Sequence, residues 1–193
     1  AGQNPDLVTR MVLEGIARPV GLRDTRQQLS PQQAVRRPQA WKGAARTQPW
    51  DAGVFGPAGG LHSTASDLLV FSQAHLQARS GPLGAAAERL VTDLSPFGEN
   101  GARIGYGVLM PQAPERAFGH NGETRGFAAD WIVWPDRQEA VVLLASNVAA
   151  PVGDIRRALV ARTWSGTVQQ VVYTRGEFRG TFEEDGGARL YAR

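Results

Sequence analysis

Three apolar segments follow one another in this chain with joins too short for anything but reversal. Residues 117–124, 127–134 and 140–146 read as strands, separated only by Arg125-Gly126 and by the turn that opens at Pro135-Asp136-Arg137. A parallel crossover needs about a dozen residues or more, so neighbours this close must pair antiparallel. Residues 105–110 form a further strand ahead of them. Any fold for this chain has to be built around that sheet.

Helical patterns surround it. Residues 5–18 carry Leu7, Val8, Met11, Val12 and Ile16 at helical spacing, with Asn4 or Asp6 as cap and Pro5 in the first turn; Pro19-Val20-Gly21-Leu22 ends the run. A second helix fits 65–79, where Thr64 and Asp67 have capping-box spacing and Ala65, Leu68, Leu69, Ser72 and Leu76 form the inner face. Further helices fit 83–94 and 152–164. Residues 23–60 read as irregular, rich in Gln, Pro and Arg, with a glycine-rich stretch from Gly53 to Gly60. A loop of that length in a compact domain is functional or packed around a site. The tail, 167–193, reads as a strand and a hairpin turned at Asp185-Gly186-Gly187. It is either packed on the body or the start of a β-rich accessory module. The expected class is α+β, an antiparallel sheet flanked by helices, with a main domain over 1–166 and the tail beyond it.

Composition removes several function classes. The 193 residues include no cysteine, so disulfides, thiolate metal sites and a cysteine nucleophile are excluded. The formal charge is only +3, and basic residues are interspersed with acidic ones rather than gathered in a stripe, so nucleic acid is not an expected partner. The longest apolar run, 140–146, is far below the ~20 residues of a membrane span. The three histidines, His62, His75 and His120, do not stand at ligand spacing from one another, which argues against a metal site. His75, within a helix, is expected to be solvated, and His62, just before a helix cap, to be structural. The glycines at 53, 56, 59 and 60 match neither a dinucleotide fingerprint nor a P-loop, and there is no G-x-S-x-G elbow. What remains is His120-Asn121-Gly122 near the start of a strand, after Phe118-Gly119. It is either a polar strand end or a place where a substrate backbone approaches closely.

Four segments together bear a family likeness. Residues 16–25 (IARPVGLRDT) resemble a "PLGM-x-D-T" segment, and residues 58–69 (AGGLHSTASDLL) a "GGL-x-S-T-x-x-D" helix entry. Gly105-Tyr106-Gly107 resembles a "GYG" strand. Residues 119–127 (GHNGETRGF), with Trp134-Pro135-Asp136 and Ser146-Asn147 after them, resemble a "GH-x-G-x-x-x-GF … PD … SN" hairpin. In this order they resemble the serine β-lactamase-like hydrolases: class C β-lactamases, D-alanyl-D-alanine peptidases and related esterases. The likeness spans about residues 7–164.

The resemblance implies a β-lactamase/transpeptidase-like fold and an acyl-serine hydrolase with no metal or organic cofactor. Such enzymes acylate the serine of an S-x-x-K motif and use a Y-x-N or S-x-N motif beside it; the third motif, K-T-G or H-x-G, lines the other wall. His120-Asn121-Gly122 is similar to the third. The other two do not occur here. Lys42 is the only lysine, with Gln39 three residues before it, and no Tyr or Ser has Asn two positions on. In the family both lie upstream of the "PLGM" segment, so the chain is expected to be the C-terminal part of such a domain.

By the same likeness the backbone N–H of Glu123 offers one oxyanion contact, and Asn121 and Gly122 lie along the substrate. His120 hydrogen-bonds in the site; histidine carries less charge than lysine at neutral pH, so recognition of a substrate carboxylate is weaker. Arg125 supplies a positive charge there, or is a solvated rim residue. The implied enzyme is an esterase, D-amino-acid peptidase or β-lactamase-like hydrolase; antibiotic hydrolysis is not implied, the expected substrate is an ester or a D-amino-acid peptide, and the implied location is periplasmic or secreted. The implied partner is the missing N-terminal half as a second chain, or else another copy through self-association. A non-catalytic binding protein on part of the same scaffold is the alternative.

Overall fold

The computed structural model describes residues 10–112 and 115–163. Contacts divide the chain into a larger unit, Ala1–Arg156, and a smaller one, Arg157–Arg193. The expected tail over 167–193 lies outside the described residues.

The first helix, α1, runs as a π-turn over Leu13–Ala17 and an α-turn over Arg18–Val20. Pro19 has no N–H to give the carbonyl four residues back and its ring crowds that carbonyl, which accounts for the widened turn ahead of it. Gly21 closes the helix at φ 86°, a left-handed conformation that other residues adopt at a cost, and its N–H and that of Leu22 both reach the Ala17 carbonyl.

The stretch expected to be irregular is in fact organised. Helix α2, Pro31–Arg36, opens with a full capping box in which Ser30 and Gln33 bond each other's backbone N–H. A hairpin follows, β1 (Ala40–Lys42) against β2 (Ala45–Thr47). A short helical turn, α3, Gly56–Gly59, then leads toward α4, Ala65–Leu76. Arg36 pairs with Asp24, and that hydrogen bond holds the Asp24 carboxyl below its ordinary value.

Helix α5, Ala85–Leu90, precedes the main sheet. Its six strands are β3 (Ser95–Phe97), β4 (Ala102–Ile104), β5 (Leu109–Met110), β6 (Phe118–Glu123), β7 (Ala128–Trp134) and β8 (Glu139–Ala145). They lie in sequence order and every pairing is antiparallel, as the short joins require. The expected strand over 105–110 shrinks to β5. The Gly105 N–H bonds Val108 within its own segment and the Tyr106 N–H bonds Leu90, so neither serves a neighbouring strand. Helix α6, Val152–Thr163, begins in the larger unit.

Helix α4 sits between two apolar clusters. Ala17, Val20, Leu22 and Ala74, with Phe71, form one; Val108, Phe118 and Val133, with Leu76 and Trp131, form the other. Its buried residues are Asp67, Ser72, Ala74 and His75, so the inner face is rotated from the expected one, and Leu69 is half exposed. The reason is that Asp67 and Ser72 have partners waiting inside. Asp67 accepts from the Arg23 N–H (3.1 Å), the Asp24 N–H (2.8 Å) and the Thr25 hydroxyl (2.7 Å). Ser72 accepts from the Trp131 indole at 2.8 Å. Two of the sequence segments that carry the family likeness are thus bound to each other.

Candidate functional site

Strand β6 carries His120, Asn121, Gly122 and Glu123 consecutively, all exposed. It is paired along its whole length with β7, from Phe118↔Val133 to Glu123↔Ala128. On its other side β5 reaches it only at Leu109↔Gly119. Among the described residues, positions 120–123 therefore have one unpaired edge.

Which groups face that edge follows from the hairpin turn. The Thr124 N–H bonds the Phe127 carbonyl at 2.9 Å. In an antiparallel ladder the residues exchanging hydrogen bonds alternate with those that do not. With Thr124 turned toward β7, Gly122 and His120 also turn inward, and Glu123 and Asn121 present their N–H and C=O outward. The Glu123 N–H assigned by resemblance to an oxyanion contact thus lies on the open edge, with the Asn121 N–H beside it.

Side chains alternate across the sheet. His120 lies on the face of Phe118 and opposite Trp131, the side against which α4 packs. Its Nδ1 donates to the Asn121 carbonyl, since that oxygen only accepts. In the neutral ring this leaves Nε2 as an acceptor. A Cβ at Gly122 would meet nothing within 4 Å, so there is room above the strand at that point. Asn121 is on the opposite face, across from buried Asp130, which pairs with Arg156 of α6 at 3.0 Å. Arg125 is not on the strand. It lies exposed in the turn between β6 and β7, apart from the run of four.

That turn is held from outside. Gly126 receives the Trp41 N–H on its carbonyl, and a Cβ there would stand 2.5 Å from Ala40 Cβ and 2.7 Å from Thr47 Cγ2. Only glycine lets the β1–β2 hairpin come so close. Asn147 clamps the same hairpin, accepting from the Gly43 N–H and donating to the Gly43 carbonyl, each at 3.0 Å. The "SN" and "GF" elements of the sequence serve this clamp. The hairpin itself was hidden in the sequence, though the Ser-Pro-Gln-Gln capping box ahead of it was a readable start signal.

The other histidines are placed differently. His62 exchanges backbone hydrogen bonds with Arg26 at 2.9 and 2.7 Å, and burial holds its imidazole below the ordinary value. His75 is buried, contrary to the expectation of a solvated ring. It lies among Phe71, Phe118 and Trp131, because α4 turns that face to the sheet. Among the described residues no group of three or more metal-ligating side chains comes together, and no helix is long and apolar enough to cross a membrane.

The model of the Beta-lactamase family matches residues 7–163. Among solved structures, the chain is similar to a class C beta-lactamase from Rhodobacter sphaeroides (14% identity, TM-score 0.68), covering 81% of this chain and 54% of that one. It is similar to a D-alanine carboxypeptidase from Burkholderia cenocepacia (17% identity, TM-score 0.69), covering 81% and 55%. A third is the octameric penicillin-binding protein homologue from Pyrococcus abyssi (18% identity, TM-score 0.66), covering 81% and 37%. The chain thus spans about half the length of the first two, and less of the third. No curated protein sequence matches it. The fold is that of the β-lactamase/transpeptidase-like structures, and with the family model matched over most of its length, the chain belongs to the Beta-lactamase family.

Proposed function

We propose that this chain is the C-terminal portion of an acyl-serine hydrolase whose S-x-x-K nucleophile and Y-x-N motif lie upstream of it. The observation that carries the reading is the unpaired edge of β6, where the N–H groups of Asn121 and Glu123 face outward next to the His120 ring. An extended acyl donor binds that edge as an added strand. The Glu123 N–H is one oxyanion donor, and the nucleophile's own N–H is the other. Nε2 of His120 accepts a hydrogen bond from the hydroxyl network or the substrate. Asn121 and Gly122 line the acyl donor, and Arg125 at the turn meets a substrate carboxylate. Esters and D-amino-acid peptides are the substrate classes, and a periplasmic or secreted location goes with them. No metal or organic cofactor enters the scheme.

Because Lys42 is the only lysine and no S-x-x-K exists here, the nucleophile must come from another stretch of polypeptide or be lacking. The chain alone is expected to form no adduct with a fluorophosphonate or a penicillin by intact mass. A stoichiometric adduct on it would overturn the assignment. With an S-x-x-K-bearing part joined ahead of it, His120→Ala lowers kcat/KM on a p-nitrophenyl ester by about tenfold or more, the worth of one hydrogen bond in the transition state. An unchanged kcat/KM removes His120 from the site. The second reading, a non-catalytic binding protein, rests on the same missing lysine. A coding sequence without an upstream S-x-x-K favours it.

A further inference from the structure

His75 is a buried imidazole that the proposed chemistry does not use. It is 8% exposed, and among the described residues neither ring nitrogen has a hydrogen-bond partner. The rings around it are Phe71 at 4.6 Å, Phe118 at 5.6 Å and Trp131 at 5.9 Å. These come from α4, β6 and β7 respectively, so His75 stands where the helix meets the two strands. Phe118 opens β6, two residues before His120 on the same face, and Trp131 is the register partner of His120. Trp131 is in turn pinned to α4 by its bond to Ser72. Beyond its ladder with β7, β6 is therefore held by the seating of α4, and α4 is seated on a ring whose nitrogens have no partner among the described residues to share a proton with.

We propose that His75 is a pH-sensitive latch: protonating it drives α4 off the β6–β7 face and releases the strand that carries His120. The link to catalysis rests on the hydrolase reading, but the latch itself does not. A charged imidazole needs a partner or water, and a ring of aromatic side chains supplies neither. Charged groups on the packed elements do not supply one. On α4 and beyond its end, Asp67 is occupied by residues 23–25, and Arg79 pairs with Glu88 of α5. On β6, Glu123 is on the other face and His120 is exposed with its Nδ1 on the Asn121 carbonyl; on β7, Asp130 points to the other face and holds Arg156, and on β8, Glu139 faces Arg137 at the strand end. On α1, Arg18 is exposed, and Arg89 of α5 lies over Tyr106. The C-terminal position of His75 in α4 favours a cation, but burial outweighs it: the ring is pushed down to about 4.

The sign follows from linkage. The open form takes up a proton near the ordinary histidine value and the closed form only near 4, so the closed form loses ground as pH falls from about 6.5 toward 4. Between pH 7 and pH 5 the opening constant is expected to rise roughly twentyfold.

Hydrogen exchange without substrate tests this. After correction for intrinsic rates, the β6 amides bonded to β7, those of His120 and Gly122, and the amides of α4 are expected to lose roughly twentyfold protection from pH 7 to pH 5 in the wild-type chain. In His75→Leu that change should be largely gone. His75→Gln, a neutral polar replacement, gives a second variant if the first does not fold, with the same expectation. His62, also held low by burial, remains in every protein, so the difference belongs to His75. Wild-type pH dependence persisting in the folded variant, or protection at β6 that does not change with pH, overturns the proposal. If the latch behaves as expected while His120→Ala leaves kcat/KM intact in the completed enzyme, the catalytic reading fails and the latch stands.

Discussion

Replacing Asp67 by alanine tests whether the two sequence segments that meet at this residue hold the fold together. Asp67 is 5% exposed and its carboxylate takes three hydrogen bonds, at 3.1, 2.8 and 2.7 Å, from Arg23, Asp24 and Thr25. Net contributions of bonds to a charged group run about 1.5–3 kcal/mol each. They do not sum in full. Thr25 keeps the Ser63 hydroxyl at 2.9 Å, and the two backbone N–H groups are only part-buried, so water reaches some of what is lost. A cost of about 3–5 kcal/mol for Asp67→Ala is the expectation, which for a chain of this size lowers Tm by roughly 6–20 °C. Asp67→Asn should cost about 2 kcal/mol: Thr25 can reverse its hydroxyl and accept, while the Asp24 N–H is left facing an amide N–H. Thr64→Ala removes only the cap that receives the Asp67 N–H at 3.1 Å and should cost about 1 kcal/mol. Urea unfolding followed by tryptophan fluorescence separates the three. If Asp67→Ala lies within ~0.5 kcal/mol of the wild type, or no lower than Thr64→Ala, the argument that this carboxylate locks α1's exit to α4 is refuted.

Two further outcomes concern the clamp on the β6–β7 turn. Gly126→Ala drives a methyl into Ala40, Thr47 and the Trp41 backbone, and the thermal midpoint should fall by an amount equivalent to about 1–3 kcal/mol, since a hairpin backbone has to retreat. Asn147→Ala loses its three 3.0 Å bonds to Gly43 and Ala149, all of them exposed, and is expected to cost about 1–2 kcal/mol in urea titrations; a neutral result would mean that water replaces the amide fully.

The sheet was legible because its evidence is local. Joins of two to five residues between 124 and 140 admit only antiparallel neighbours, and the strands lie within a residue of their expected limits at β6, β7 and β8. The strand that carries the candidate residues was legible for the same reason, with His120, Asn121, Gly122 and Glu123 on one uninterrupted segment. The inner face of α4 was not. Periodicity weighs leucines against polar residues, and here a carboxylate and a serine face inward because residues 23–25 and Trp131 satisfy them from far along the chain. His75 failed for a related reason: a histidine in a helix reads as polar, whereas three aromatic side chains make it one more ring in the core. Residues 23–60 read as irregular because each element there is short and is stabilised by docking, as β1 and β2 are by Gly126 and Asn147.

The order of the main sheet is the order of the chain, β3 to β8 without a crossover. Each strand therefore meets a partner made only a few residues earlier, and the loop that has to close before a pair can form is short at every step. The β1–β2 hairpin is the exception, since Gly43 and Asn147 are 104 residues apart. During synthesis the sheet can zip up strand by strand as it emerges, while that hairpin waits first for the β6–β7 turn at Gly126 and then for Asn147 at the end of β8 before its docking is complete. The turn beside His120 is consequently among the last parts of the described structure to be braced.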